Sequence, residues 1–316
     1  MFEFVPLIAF LLIAFSIGSN DTSNAFGICI GCKVINLRRA TLLLFAFVVV
    51  GIFLQGEKVM KTVGRDLVEV DVGISAISMV IAALVIVFSN FRGFPVSSHQ
   101  VIIGSLTGTA IAFGAHVSVE TLFRIILSWI ISPLVAGAFA VAIFLFLEKL
   151  LRRYSLVDVN KILKLLLLSS AIVIAYNTGA NELATAMAPV IYARVFEPFT
   201  SAILGAFLLW LGAYVLSARV IETVCKGITA LDPKSGLSAH LGAGIAVLGF
   251  TTLGMPVSTT YAMIGGIASV GFMKGVKAVR TETLKKIAVN WVLAPLLSFA
   301  ISLLATTLIL EIVGKI

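Results

Sequence analysis

Apolar stretches long enough to cross a hydrocarbon core about 30 Å thick recur from one end of this chain to the other. That pattern specifies an all-α, polytopic membrane protein, and no soluble domain fits between the runs. Composition agrees: the chain is 60% hydrophobic and 12% charged, against about 25% charged residues in an ordinary soluble domain. The net charge of +8 does not indicate nucleic-acid binding, because Lys and Arg of membrane proteins gather in cytoplasmic loops. The first apolar run lacks a basic leader and continues into a polar patch, so it is not read as a cleavable signal peptide. Three cysteines imply no disulfide framework. Cys29 and Cys32 are read as small residues in helix packing rather than as a metal or redox pair.

Two polar motifs interrupt the apolar sequence, and each occurs twice. Gly18-Ser19-Asn20-Asp21-Thr22-Ser23-Asn24-Ala25 returns 161 residues later as Gly179-Ala180-Asn181-Glu182-Leu183-Ala184-Thr185-Ala186. Pro95-Val96-Ser97-Ser98 returns at the same spacing as Pro256-Val257-Ser258-Thr259. Ser128-Trp129-Ile130-Ile131-Ser132-Pro133-Leu134 resembles Asn290-Trp291-Val292-Leu293-Ala294-Pro295-Leu296, so the repeat is close to full length. Five apolar segments fall in each half, at 2–31, 40–56, 72–91, 95–114 and 121–147, then at 162–192, 199–217, 236–254, 256–272 and 284–312. The expected organisation is a first transmembrane repeat over 1–147, a cytoplasmic linker over 148–161 and a second repeat over 162–316. Paired polar interruptions at matched repeat positions place a substrate site at the interface of the two repeats, which is a transporter pattern.

Charge orients the copies. The loop at 32–41 carries Lys33, Arg38 and Arg39 without an acid, while its partner near 193–202 has Arg194 against Glu197. The loop at 272–286 carries Lys274, Lys277, Arg280, Lys285 and Lys286 against Glu282, while its partner near 111–124 has Arg124 against Glu120. Equivalent loops with opposite bias sit on opposite sides of the membrane, and an odd number of crossings per half inverts the second copy. Both termini are then extracytoplasmic. The basic segment at 148–164, with Lys149, Arg152, Arg153, Lys161 and Lys164, is cytoplasmic. Arg92 and Arg219 are read as snorkelling from segment ends. His116 and His240 are read as solvated, and His99 as a partner to a neighbouring helix. Trp129 and Trp291 are read as packing features.

Asp21 falls near mid-membrane by position, where a lone carboxylate costs on the order of 2.5–3.5 kcal/mol. Glu182 takes the matching place, and no basic residue lies in either motif. Gly18 and Gly179 are expected to unwind their helices and free backbone groups. Carboxylates with Asn20, Asn24, Asn181 and Thr185 make an all-oxygen environment suited to sodium. Ser97, Ser98 and Gln100, and Ser258, Thr259 and Thr260, open two helices whose starts favour an anion, and Asn20 and Asn181 are expected to contact that anion as well as the cation. Ser105 and Thr107 continue the first of these helices with small polar groups. The alternative for a single such copy is a plain helix cap. Two matched copies, each following a carboxylate motif, favour a ligand. Whether the motif segments cross as broken helices or enter as re-entrant hairpins stays open.

These residues resemble the inorganic phosphate transporter family, whose members carry two GANDVANA-like signatures, each followed by a PVSTT-like one. The resemblance covers almost the whole chain. It implies a secondary symporter with inverted repeats that imports inorganic phosphate with sodium, working as a homodimer in the cell membrane, without an organic cofactor. It leaves open proton coupling, and sulfate as carried by some bacterial relatives. Glu182 and Thr185 depart from the Asp and Asn of the family signature, and Gln100 and Tyr261 stand where relatives often have His. An intramembrane carboxylate enzyme is disfavoured, since the acidic motifs lack the YD and GxGD patterns of aspartyl proteases. An anion channel has no need of a cation-coupled site.

Overall fold

A computed structural model describes residues 4–91, 96–152, 155–227, 232–275 and 281–313. Arg92, Pro95, Arg153, Lys277 and Arg280, and the side chains of Arg219, Glu282, Lys285 and Lys286, lie outside the described residues. The described chain folds into helices α1 (Phe4–Gly31), α2 (Leu37–Lys61), α3 (Val72–Phe91), α4 (Ser98–Ala112), α5 (Val119–Leu151), α6 (Leu156–Asn177), α7 (Ala184–Tyr192), α8 (Pro198–Gly227), α9 (Pro233–Thr252), α10 (Thr259–Met273) and α11 (Thr281–Val313). A π turn over Thr62–Leu67 ends α2, and another over Thr178–Leu183 joins α6 to α7. Among the described residues, seven stretches are long and apolar enough to cross a membrane. The protein is thus an all-helical multi-pass membrane protein.

Polar caps set the helix starts. Asn36, Ser118 and Ser155 accept hydrogen bonds from Arg39, Thr121 and Asp158 backbone N–H groups at the starts of α2, α5 and α6. Asp232 does the same for α9 through Ser235, with Pro233 as the first helical residue. α4 and α10 have 15 residues each, so each is about 22 Å long, short of the hydrocarbon thickness. Neither is long enough to cross alone.

The two repeats interlock. α1 packs on α8 and α2 on the α6–α7 unit; α4 packs on α11 and α10 on α5. Each contact is made by a glycine, and each recurs in the other half. A Cβ on Gly18 would stand 1.8 Å from the Leu209 carbonyl oxygen, and one on Gly179 would stand 2.1 Å from that of Val48. Gly104 lies against the Pro295 carbonyl at 2.5 Å, and Gly265 against that of Pro133 at 2.2 Å, by the same measure. Helix ends repeat too: Lys33 and Arg194, at equivalent positions, both close a helix in the left-handed region, with φ 54° and 56°.

The expected unwinding at Gly18 does not occur, because α1 runs unbroken through the first signature. Gly18 is small so that Leu209 can approach, and the close helix contact replaces the expected break. At Gly179 the helix stays continuous but widens into the π turn. Among the described residues the chain leaves the helix ahead of α10, over 253–258, and at 96–97 ahead of its repeat equivalent α4.

Candidate substrate and ion site

Residues 253–258 are irregular backbone; Leu253 is exposed, Met255 is partly buried, and Pro256, Val257 and Ser258 are buried, so the polar groups of the buried part must be satisfied by protein. Asn181 does most of this. Its Nδ2 donates to the Met255 carbonyl at 3.0 Å and to Thr251 Oγ1 at 2.8 Å, and its Oδ1 accepts from Val257 N–H at 3.0 Å. His99 Nε2 lies 2.8 Å from the same Oδ1. Trp129 Nε1 donates to the Pro256 carbonyl at 2.8 Å. The start of α10 is therefore fixed from α5 and from the second signature.

Asp21, Glu182 and the starts of α4 and α10 converge in the interior. The Asp21 and Glu182 carboxyl groups are buried neighbours. Glu182 Oε1 accepts from Thr259 N–H at 3.4 Å. Asn24 Nδ2 donates to Asp21 Oδ1 at 2.8 Å and to Thr260 Oγ1 at 2.7 Å. Tyr261 donates its hydroxyl proton to Gln100 Oε1 at 3.1 Å. Asp21 and Glu182 are repeat equivalents, and so are Gln100 and Tyr261. Residues that adjoin their own counterparts lie on the pseudo-two-fold axis, so the axis passes through the site.

The other sequence-derived positions divide into two groups. Ser97, Ser258 and Thr259 are buried at the helix starts, with Ser98 and Thr260 partly exposed beside them. Ser258 caps α10 by accepting from Tyr261 N–H at 3.4 Å. Ser97 Oγ, Thr259 Oγ1 and Glu182 Oε2 are buried without a protein partner among the described residues. Asn20 is partly buried on α1. Asn181 and Thr185 are fully buried, and Thr185 donates to the Asn181 carbonyl of its own helix at 2.8 Å. Thr107 lies nine residues along α4 from Ser98, about 13 Å of helix rise, and donates to its own helix's Ile103 carbonyl at 2.8 Å. Ser105 is buried between these levels.

His240 is a correction. It is fully buried in α9, with Nε2 2.7 Å from the Asn24 carbonyl oxygen and Nδ1 2.7 Å from Ser170 Oγ. The Asp232-Pro233 cap starts α9 ahead of its apolar stretch, which puts His240 two turns inside the helix. The cap was readable in the sequence; the partner across 216 residues was not. His116 is exposed, and His99 bonds a neighbouring helix as expected. Trp291 packs against Tyr261 with the rings tilted by 43° and their centroids 4.6 Å apart.

Interlocked repeats around a buried polar centre define a membrane transporter, not an enzyme. The family model described as the phosphate transporter family matches residues 17–158 and 153–302, one match per repeat. This chain belongs to that family. It is 35% identical to a candidate phosphate permease of Methanocaldococcus jannaschii, over 96% of both chains. It is 28% identical to the sulfate permease CysP of Bacillus subtilis, over 98% of this chain and 88% of that one. A solved structure of a sodium-dependent phosphate transporter shares the fold, with a TM-score of 0.85 at 24% identity, covering 98% of this chain and 99% of that one.

Proposed function

We propose that this transporter imports inorganic phosphate together with sodium, by alternating access around the site between α4 and α10. The observation that carries the reading is the meeting of Asp21 and Glu182 beside two helix starts, with no Lys or Arg buried among the described residues. Adjacent buried carboxylates repel, and an anion beside them repels further. A cation must enter with the anion, and its binding and the anion's then strengthen each other equally. Asp21, Glu182, Asn24 and Asn20, with Asn181 and Thr185 behind them, offer oxygen ligands to sodium. Ser97, Ser98, Gln100, Ser258, Thr259 and Thr260 offer hydroxyl, amide and helix-start N–H groups to phosphate, with Ser105 and Thr107 further along α4. The charge bias of equivalent loops supports both termini outside the cell membrane, and the family resemblance supports a homodimer.

Radiolabelled phosphate uptake into proteoliposomes, with sodium and pH gradients imposed separately, tests this. Sodium-driven accumulation is expected. Accumulation that follows the proton gradient and ignores sodium would replace the coupling ion. The similarity to a sulfate permease favours one second reading, sulfate as cargo, which the same vesicles decide with labelled sulfate.

A further inference from the structure

We propose that His240, backed by Ser170, is a positioning residue for the cation-binding side of the site; this rests on the cation-coupled reading above. A carbonyl only accepts, so the Nε2 that faces the Asn24 carbonyl at 2.7 Å carries the hydrogen. With Nε2 carrying the hydrogen, Nδ1 is an acceptor 2.7 Å from the Ser170 hydroxyl, whose single proton is shared between that nitrogen and the Leu167 carbonyl at 2.8 Å. Asn24 in turn commits its side-chain amide to Asp21 Oδ1 and Thr260 Oγ1. The Asn24 backbone is thus held by α9 and its side chain by α10, the two arms of one hairpin. Asp21 takes its position from that grip.

The other repeat supplies an internal control. The positions equivalent to His240 and Ser170 are Met79 and Ala9, both buried and apolar. Thr185, equivalent to Asn24, turns its hydroxyl onto its own helix. Packing at this place in the fold is therefore met by Met and Ala. Burying an imidazole there carries a desolvation cost that its two hydrogen bonds must offset, and the Asn24 carbonyl is what those bonds serve.

The test gives the second repeat the side chains of the first, as Ser170→Ala/His240→Met, beside His240→Gln, whose Nε2 can reach the same carbonyl. Wild-type uptake first identifies the driving ion, which tests sodium coupling by itself. The variants are then compared with wild type for that same ion. The double variant is expected to keep its elution profile and melting temperature, with the half-saturating ion concentration raised about tenfold for the lost buried hydrogen bonds. Half-saturating phosphate at saturating ion should stay within about twofold, the scatter expected without a lost contact. His240→Gln should restore ion dependence to the same margin. Wild-type ion dependence in the double variant would overturn the proposal. So would His240→Gln behaving like the double variant, or all parameters falling together with the melting temperature. If the double variant is not recovered from the membrane, Ser170→Ala alone carries the test, with an expected shift of about threefold for one weakened bond and no shift overturning the proposal.

Discussion

Asp21 and Glu182 are neighbours and differ in what else they touch. Asp21 is bonded to Asn24, which ties it to Thr260; Glu182 accepts from the Thr259 backbone and leaves Oε2 without a protein donor. We expect Asp21→Asn and Glu182→Gln each to abolish ion-coupled phosphate uptake while the protein still folds, since both changes preserve shape and remove charge. Uptake at wild-type rate and low sodium in both variants would sink the assignment. Glu182→Gln should be the more disruptive at the α10 start, because an amide rotamer can turn N–H toward Thr259 N–H, where only an acceptor fits. Phosphate and arsenate should be carried well and sulfate poorly. Phosphate near neutral pH retains a donating O–H that a carboxylate can accept, whereas sulfate sets a bare oxygen against it, and sites built around a substrate donor reject analogues lacking one. Excess sulfate should compete with phosphate far more weakly than arsenate does; equal inhibition would defeat the phosphate assignment.

At the scale of helices, the contacts between repeats depend on glycine rather than on apolar volume. Gly18→Ala sets a Cβ into the Leu209 backbone, so α1 and α8 must separate; the expected cost is about 3 kcal/mol or more, read as a lower melting temperature in detergent. Gly249→Ala, with nothing within 4 Å of its new Cβ, is the matched control and should be tolerated. These glycines also show what the sequence could reveal. Hydropathy finds the long spanning helices, and motif spacing finds the repeat, because both are properties of the local chain. The packing role of Gly18 is invisible to a local reading, since the Leu209 carbonyl that demands it is 191 residues away in sequence. Asn181 stands in its motif as a candidate ligand, and the motif does not reveal that its amide also holds Thr251, Met255 and Val257. His240 and Trp129 act on the site through partners on other helices, which no local pattern encodes.

For the whole molecule, inverted repeats require opposite facings for equivalent loops. Single cysteines placed over 152–160 and over 115–119, in a background without Cys29, Cys32 and Cys225, should label from opposite sides of the membrane. Labelling of both from outside would overturn the threading. The axis through the site carries a longer consequence. In an ancestor assembled from two separate, identical chains, a side chain on the axis could meet only its own copy, Asp against Asp or Gln against Gln. Gene fusion lifts that restriction. Here the axis pairs are Asp with Glu and Gln with Tyr, combinations that no dimer of identical subunits can hold. Each half of this chain has thereby become free to specialise, so that a single duplication now serves two inequivalent jobs.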